Sequence, residues 1–266
     1  MKRIGDVMKA SPIRPPQETQ PGNIKISRRE AAHCPICQDA GYLRADVPVG
    51  HPSFGRLFPC GCKQKEIDEK VADKLQQLSN LDVFTQQTFE DFDPDVRGAQ
   101  EAYDASLQFA RESVHRWLFL SGPCGTGKTH LAVAIAKHAM HWHNMSVYFA
   151  VVPDLLDHLR ATFDPNSGTG YDERFNTIRN ADLLVLDDLG TENATPWARE
   201  KLYQIINHRY MEQSPTVITS NVKPDKIDGR ILSRILDHRL TQHITIDAED
   251  FRRSGDPRRM LRNLRG

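Results

Sequence analysis

The chain has no excess of either charge. Its 35 Lys and Arg residues meet 35 Asp and Glu, so net charge by itself points to no polyanion partner. Long apolar runs are also missing. No window approaches the length of a membrane span, and the first residues, Met1-Lys2-Arg3-Ile4-Gly5-Asp6, hold no apolar core of signal-peptide length. Cysteine is sparse, five in 266 residues. Without a secretion signal, that usage predicts a cytoplasmic chain whose close cysteine pairs hold metal rather than disulfides. No internal repeat is present, which excludes a solenoid. The length suits one full α/β domain plus a smaller module. A chain of this size buries roughly 70–75% of its unfolded surface, enough for a stable core.

The overall balance of charge does not extend to the ends. Residues 1–30 carry seven basic side chains against three acidic ones, and residues 251–266 carry six arginines against Asp256 alone. Basic ends on a neutral body suit nucleic-acid contact, and they equally suit solvated tails. Residues 11–24 are proline-rich and polar and read as part of a flexible basic lead-in over 1–32. Residues 251–266 form a basic C-terminal tail.

Four of the five cysteines fall in one block. Cys34-Pro35-Ile36-Cys37 is followed, after twenty-two intervening residues, by Cys60-Gly61-Cys62. Two close pairs separated by a loop of this size can close one tetrahedral thiolate site. Pro35 and Gly61 favour the tight turns that aim both sulfurs of a pair at one point. The second pair is C-x-C rather than the commoner C-x-x-C, and His51, between the pairs, is able to replace one thiolate. A redox pair or four unrelated thiols is the alternative. The preferred reading is a structural Zn²⁺, because the segment has few apolar residues and zinc binding of about 10–16 kcal/mol would make up the deficit. Residues 63–78 then read as a charged amphipathic helix with Ile67, Val71, Leu75 and Leu78 as its stripe. These two parts make a zinc-binding and helical module over 33–84. Residues 85–94 read as a linker that Phe89 and Phe92 tack onto the next domain.

Beyond the linker the chain alternates. Strands are expected at 117–121, 146–152, 183–186, 216–219 and 243–246. Helices are expected at 99–115, after residue 128, from Pro153, at 172–180, from the Thr195-Pro196 cap to about 211, and at 227–236. Five strands separated by helices predict an α/β fold, a five-stranded, mostly parallel sheet with helices on both faces.

Between the first of these strands and its helix lies Gly122-Pro123-Cys124-Gly125-Thr126-Gly127-Lys128-Thr129, the phosphate-binding loop pattern in its required strand–loop–helix context. The glycines permit positive φ and close backbone approach, so successive N–H groups can turn toward an anion. The helix adds the positive end of its dipole. Lys128 places a cation on the β- and γ-phosphates, and the Thr129 hydroxyl suits an octahedral Mg²⁺. The expected ligand is a nucleoside triphosphate. Asp187 follows four apolar residues, so a buried strand would deliver its carboxylate to the sheet edge where the loop lies. It is assigned to Mg²⁺. Asp188 is the candidate that polarises the attacking water. Asn221 ends the next strand and is the candidate for the γ-phosphate or the water, with a plain turn residue as the alternative.

The loop with His130-Leu131-Ala132 after it, the strand ending Asp187-Asp188-Leu189-Gly190, and Thr219-Ser220-Asn221 together resemble an AAA+ ATPase. More narrowly, they are similar to the bacterial DnaC/DnaI-type helicase loaders and the related IstB-type transposition helpers. The resemblance covers residues 85–250 and implies an AAA+ P-loop domain that uses ATP. The segment Gly229-Arg230-Ile231-Leu232-Ser233-Arg234 resembles the family's arginine-finger helix. This implies Arg234 as the finger, Arg230 as its companion, and self-association that brings them to a neighbour's nucleotide. The implied function is a loader that grips a replicative helicase with its N-terminal module and holds single-stranded DNA, with Arg160, Arg174 and Arg179 as candidate contacts. One rival is a transposition helper acting on duplex DNA with a transposase. Another is a non-hydrolysing, ATP-sensing adaptor. The chain departs from the family pattern twice. Asp188 stands where most AAA+ enzymes have Glu, which implies slow, partner-stimulated hydrolysis. Only about twenty residues follow the fifth strand, too few for a full helical lid.

Overall fold

The computed structural model describes residues 33–112, 116–161, 171–191 and 195–251. The expected lead-in over 1–32, the polar loop at 164–170 and the arginines from 252 onward lie outside them. The chain divides into two compact units, Met1–Cys62 and Lys63–Gly266. The division falls at residue 62 rather than at the expected 84, and the long helix α1 (Gly61–Leu78) belongs almost wholly to the second unit.

In the first unit, β1 (Tyr42–Arg44) and β2 (Leu57–Pro59) pair antiparallel. This hairpin was not anticipated from the sequence. Its strands are three residues long and exposed throughout, too short to display the alternation by which strands are read.

The second unit is built on a parallel sheet of five strands: β3 (Trp117–Ser121), β4 (Val147–Val151), β5 (Leu183–Asp187), β6 (Thr216–Ser220) and β7 (Thr241–Thr245). Their order across the sheet is β4-β5-β6-β3-β7. The helices between them are α2 (Gln100–Glu112), α3 (Lys128–His143), α4 (Val152–Ala161), α5 (Tyr171–Arg179), α6 (Pro196–Met211) and α7 (Gly229–Ile235). Successive strand residues face opposite sides, and both sides are covered. Trp117, Phe119, Leu184, Leu186 and Ile218 pack with α4, α5, α6 and α7. Leu118, Leu120, Val185, Val217 and Ile244 pack with α2 and α3. Burial on both faces explains why β3 and β5 read as unbroken apolar runs. The cap expected at Thr195 is present, with its hydroxyl accepting from the Ala198 N–H at 3.2 Å and Pro196 opening α6.

Two expectations need correction. The fifth strand was expected at 243–246 and runs Thr241–Thr245. It lies at the sheet edge with only Thr241 and Ile244 buried, so its pairing with β3, not its apolar content, sets its limits. Along α1 the expected stripe buries Leu75 completely but leaves Ile67 and Val71 exposed. The linker expectation is met in part. Phe89 is buried, and Phe92 stacks on Tyr103 at 5.7 Å and meets the His130 ring edge-on.

All five strands run the same way, so their C-terminal ends share one edge. The register aligns Ser121 with Ser220 and Thr245, and Val151 with Asp187. The loops leaving these residues emerge on that edge, the usual ligand side of an open α/β sheet.

Candidate functional site

The loop leaving β3 holds a left-handed backbone at Gly122 and Gly127, with φ of 143° and 90°. Both positions are also crowded. A Cβ on Gly122 would stand 2.3 Å from the Ile246 carbonyl oxygen, and one on Gly127 would stand 2.7 Å from the Phe92 ring. Larger residues are excluded there by contact as well as by conformation. Lys128 is buried and its Nζ donates to the carbonyls of Gly122 at 2.8 Å and Pro123 at 2.6 Å. Thr126 closes the loop by donating to Pro123 O at 3.0 Å. Cys124 is exposed.

Across the edge, Asp187 ends β5 and is almost wholly buried. Its carboxylate accepts from the Thr129 hydroxyl at 3.0 and 3.1 Å and from the Thr219 hydroxyl at 2.6 Å. Burial pushes its pKa up, and the bonds from Thr219 and Thr129 oppose that shift. Strand β6 lies between β3 and β5, so Thr219 sits between the loop and the acid. Its hydroxyl also accepts from the Asp188 N–H at 3.0 Å. Asp188 has a left-handed backbone, φ 57°, a strained geometry of the kind that collects at functional sites. Asn221 Nδ2 donates to Asp188 Oδ1 at 3.4 Å.

The loop, Asp188 and Asn221 border one cavity of about 280 Å³. Cys124 to Thr129 form one part of its wall, with Asp188 and Asn221 also lining it. Phe84, Phe92, Val96 and Ala99 add apolar surface. Residues 85–94 were expected to be a linker that Phe89 and Phe92 tack onto the next domain, not a wall of the site. They were missed as a wall because isolated aromatics in a polar stretch carry no periodicity. The segment after β7 was missed as well. There, Phe251 N–H donates to Gly125 O at 3.0 Å. Thr219 was noted in its tripeptide but given no role.

The residues fit the expected ligands. A glycine loop that a Cβ would fill, a lysine and a helix N-terminus suit a triphosphate. The Thr129 hydroxyl and Asp187 carboxylate, side by side, supply the oxygen donors that Mg²⁺ takes. Arg230 and Arg234 do not line this cavity. They lie on α7, against α6. Arg160 pairs with Asp157 at 3.4 Å and covers the Trp197 ring, Arg179 covers Phe175, and Arg174 is half-buried.

A second group forms in the first unit. The sulfurs of Cys34, Cys37, Cys60 and Cys62 all lie within 4.8 Å of one another, with Cys34 to Cys60 at 3.8 Å and Cys37 to Cys62 at 3.4 Å. Sulfurs about 2.3 Å from a tetrahedral zinc stand at such separations. His51 is not part of the group; its Nδ1 accepts from the Ser53 N–H. Asp39 braces the first pair by accepting from the N–H groups of Cys34 and His33. Hydrogen bonds from the Cys37 and Ile36 backbone lower the Cys34 thiol to about 6. Hydrogen bonding to Cys37, followed by burial, pushes Cys62 up to about 12. Such opposed thiols are the expected result when four sulfurs crowd together, and a divalent cation would draw all four into the thiolate form.

Fold and edge together define the class, an AAA+ P-loop domain. Comparison with known proteins narrows it. The family model described as "IstB-like ATP binding protein" matches residues 63–263, and the chain belongs to that family. It is 29% identical over 153 residues to the replicative helicase loader DnaC of Escherichia coli K12, a match covering 56% of this chain and 61% of DnaC. It is 29% identical over 218 residues to the replicative helicase loader DnaI of Bacillus subtilis, covering 74% of this chain and 67% of DnaI. The crystal structure of the DnaC helicase loader superposes with a TM-score of 0.55 at 25% identity, over 61% of this chain and 98% of the other. The chain thus spans about three-fifths of the length of the DnaC loader it matches in sequence. No helix among the described residues is long and apolar enough to cross a membrane.

Proposed function

We propose that this protein is an ATP-dependent loader that binds single-stranded DNA and delivers a replicative helicase. One observation carries the reading: Lys128, Thr129, Asp187, Asp188 and Asn221 meet at one sheet edge, in a chain similar to two helicase loaders. Loop N–H groups and Lys128 hold the β- and γ-phosphates of ATP. Thr129 and Asp187 would hold Mg²⁺, which would supply positive charge against the phosphates. Asp188 polarises a water toward the γ-phosphorus, and the bond to the ADP oxygen breaks as water adds. Asn221 positions that water. Asp188 is one methylene shorter than the usual Glu, so turnover without a partner is slow. Arg234, with Arg230 beside it, reaches the nucleotide of a neighbouring copy, where a guanidinium contributes about 10³–10⁵ in rate. The thiolate module with its zinc, together with α1, forms the helicase-binding part. Single-stranded DNA lies along Arg160, Arg174 and Arg179, with log affinity falling steeply against log salt.

A second reading, a transposition helper that acts on duplex DNA with a transposase, rests on the resemblance of the phosphate loop and the Asp187-Asp188 strand end to IstB-type helpers. Co-purification separates the two. The loader reading expects full-length protein to bind the hexameric replicative helicase in ATP and release it in ADP. Failure to bind the helicase in either nucleotide, with capture of a transposase on duplex DNA, would replace it. An adaptor that senses ATP without hydrolysing it predicts equal turnover in wild type and Asp188→Asn. The loader predicts a loss in the variant.

A further inference from the structure

Helix α7 has only seven residues and docks on α6 through Ile231 and Ile235, both buried. Its two arginines share one aromatic ring. The guanidinium carbon of Arg230 lies 4.5 Å from the centroid of Tyr203, and that of Arg234 lies 4.7 Å from the same centroid. Beyond that common ring, the two arginines are held very differently. Arg230 is exposed, and its contacts to Glu200 and Asp228 are long, 3.5 and 3.4 Å. Arg234 makes three short hydrogen bonds. Its Nε donates to Asn207 Oδ1 at 2.9 Å, Nη1 to the Arg230 carbonyl at 2.8 Å, and Nη2 to the Tyr203 hydroxyl at 2.9 Å.

A guanidinium has five N–H donors. Among the described residues these bonds use three of them, which leaves one donor on each terminal nitrogen. A free arginine has many rotamers, and holding one of them at a reaction is entropically costly. Here the rotamer is already selected. Two residues of α6 select it, Tyr203 and Asn207, one turn apart and therefore on one helix face.

We propose that Tyr203 is a positioning residue for the reaction, and that Asn207 assists it. Its ring supports both arginines and its hydroxyl orients Arg234, so that the two remaining donors are presented to the phosphates of a neighbouring copy. The inference rests on the trans-acting role proposed for Arg234. Tyr203 lies outside the nucleotide cavity. Glue between α6 and α7 would use the same contacts, so the test must move something that glue would not.

The test mixes full-length variants. Tyr203→Leu removes ring and hydroxyl, and Tyr203→Phe removes only the hydroxyl. ATP turnover is expected to fall roughly 10- to 100-fold in Tyr203→Leu and roughly 2- to 10-fold in Tyr203→Phe, with ATP affinity unchanged in both. Adding Asp188→Asn protein, whose own site is disabled but whose Arg234 is correctly held, should restore turnover at the intact sites of Tyr203→Leu. Arg234→Ala is the reference and should be rescued in the same way. Rescue of Arg234→Ala but not of Tyr203→Leu overturns the positioning role alone, as does wild-type turnover in Tyr203→Leu. If neither is rescued, the trans-acting arginine fails and the positioning role goes with it. Should Tyr203→Leu fold poorly, Tyr203→Phe, which keeps the ring, carries the same comparison.

Discussion

Asp187 is under two opposing demands. Binding Mg²⁺ requires a carboxylate, while its place at the end of a buried strand penalises one. Burial raises its pKa above the ordinary aspartate value, and the hydroxyls of Thr219 and Thr129 compensate only in part. That rise sets the sign of the linkage. A raised carboxyl pKa gives stability that is present below the unfolded value and is lost as pH rises through the folded one. Once pH passes the raised value, the ionised group opposes folding. Asp187→Asn keeps the shape and can still accept from both threonines. It should raise the melting temperature of the nucleotide-free protein near pH 7, by roughly 2–4 °C for each kcal/mol relieved. It should also abolish the magnesium-dependent tightening of ATP binding. A lower melting temperature with intact tightening would contradict the assignment. The Asp187 side chain was legible in the sequence because four apolar residues precede it. Thr219 was not, because a β-branched residue in a strand looks like any other strand former. Arg209 escaped for a similar reason. It reads as a basic residue in the last turn of α6, a favourable place for a cation. In the structure it is fully buried and donates to the carbonyls of Arg179, Ala181 and Pro215 and to the Thr216 hydroxyl.

Among the elements, the thiolate hairpin differs most from the rest. Cys37 and Cys60 are buried, but around them Ile36, Val49, Phe54, Leu57 and Phe58 are exposed. Among its described residues little apolar burial holds this unit together, and we propose that a bound Zn²⁺ supplies its stability. Purified protein should contain about one zinc per chain. Strong chelation, or Cys60→Ser, should erase amide-exchange protection over residues 33–62 and leave ATP binding by the second unit intact. A metal-free protein whose Cys60 amide, bonded to Gly41 O at 2.8 Å, stays protected would refute this. Cysteine spacing made the thiolate group legible, but the two strands that align it were not. They expose every side chain, and alternation is informative only where one face is buried. Strands β3 to β6, buried on both faces, were read nearly to their ends.

At the scale of the whole molecule, the number and direction of the strands in the five-stranded sheet could be read from their alternation with helices, whereas their order could not. No local pattern states that β6 lies between β3 and β5. That order lets Thr219 donate to Asp187 and brings Asn221 to Asp188. Likewise the cavity wall comes from segments far apart in the chain, Phe84 to Ala99 and Ala248 to Phe251, whose closeness depends on tertiary packing. The central claim is that this edge seats a magnesium-bound triphosphate. It is tested most directly by titrating full-length protein with a fluorescent ATP analogue, with and without Mg²⁺, beside Lys128→Ala. The account predicts saturable binding that magnesium strengthens. It also predicts a loss of roughly 10- to 100-fold in the variant, the value of a hydrogen bond to a charged group. Equal affinity in wild type and Lys128→Ala, indifferent to magnesium, would contradict it.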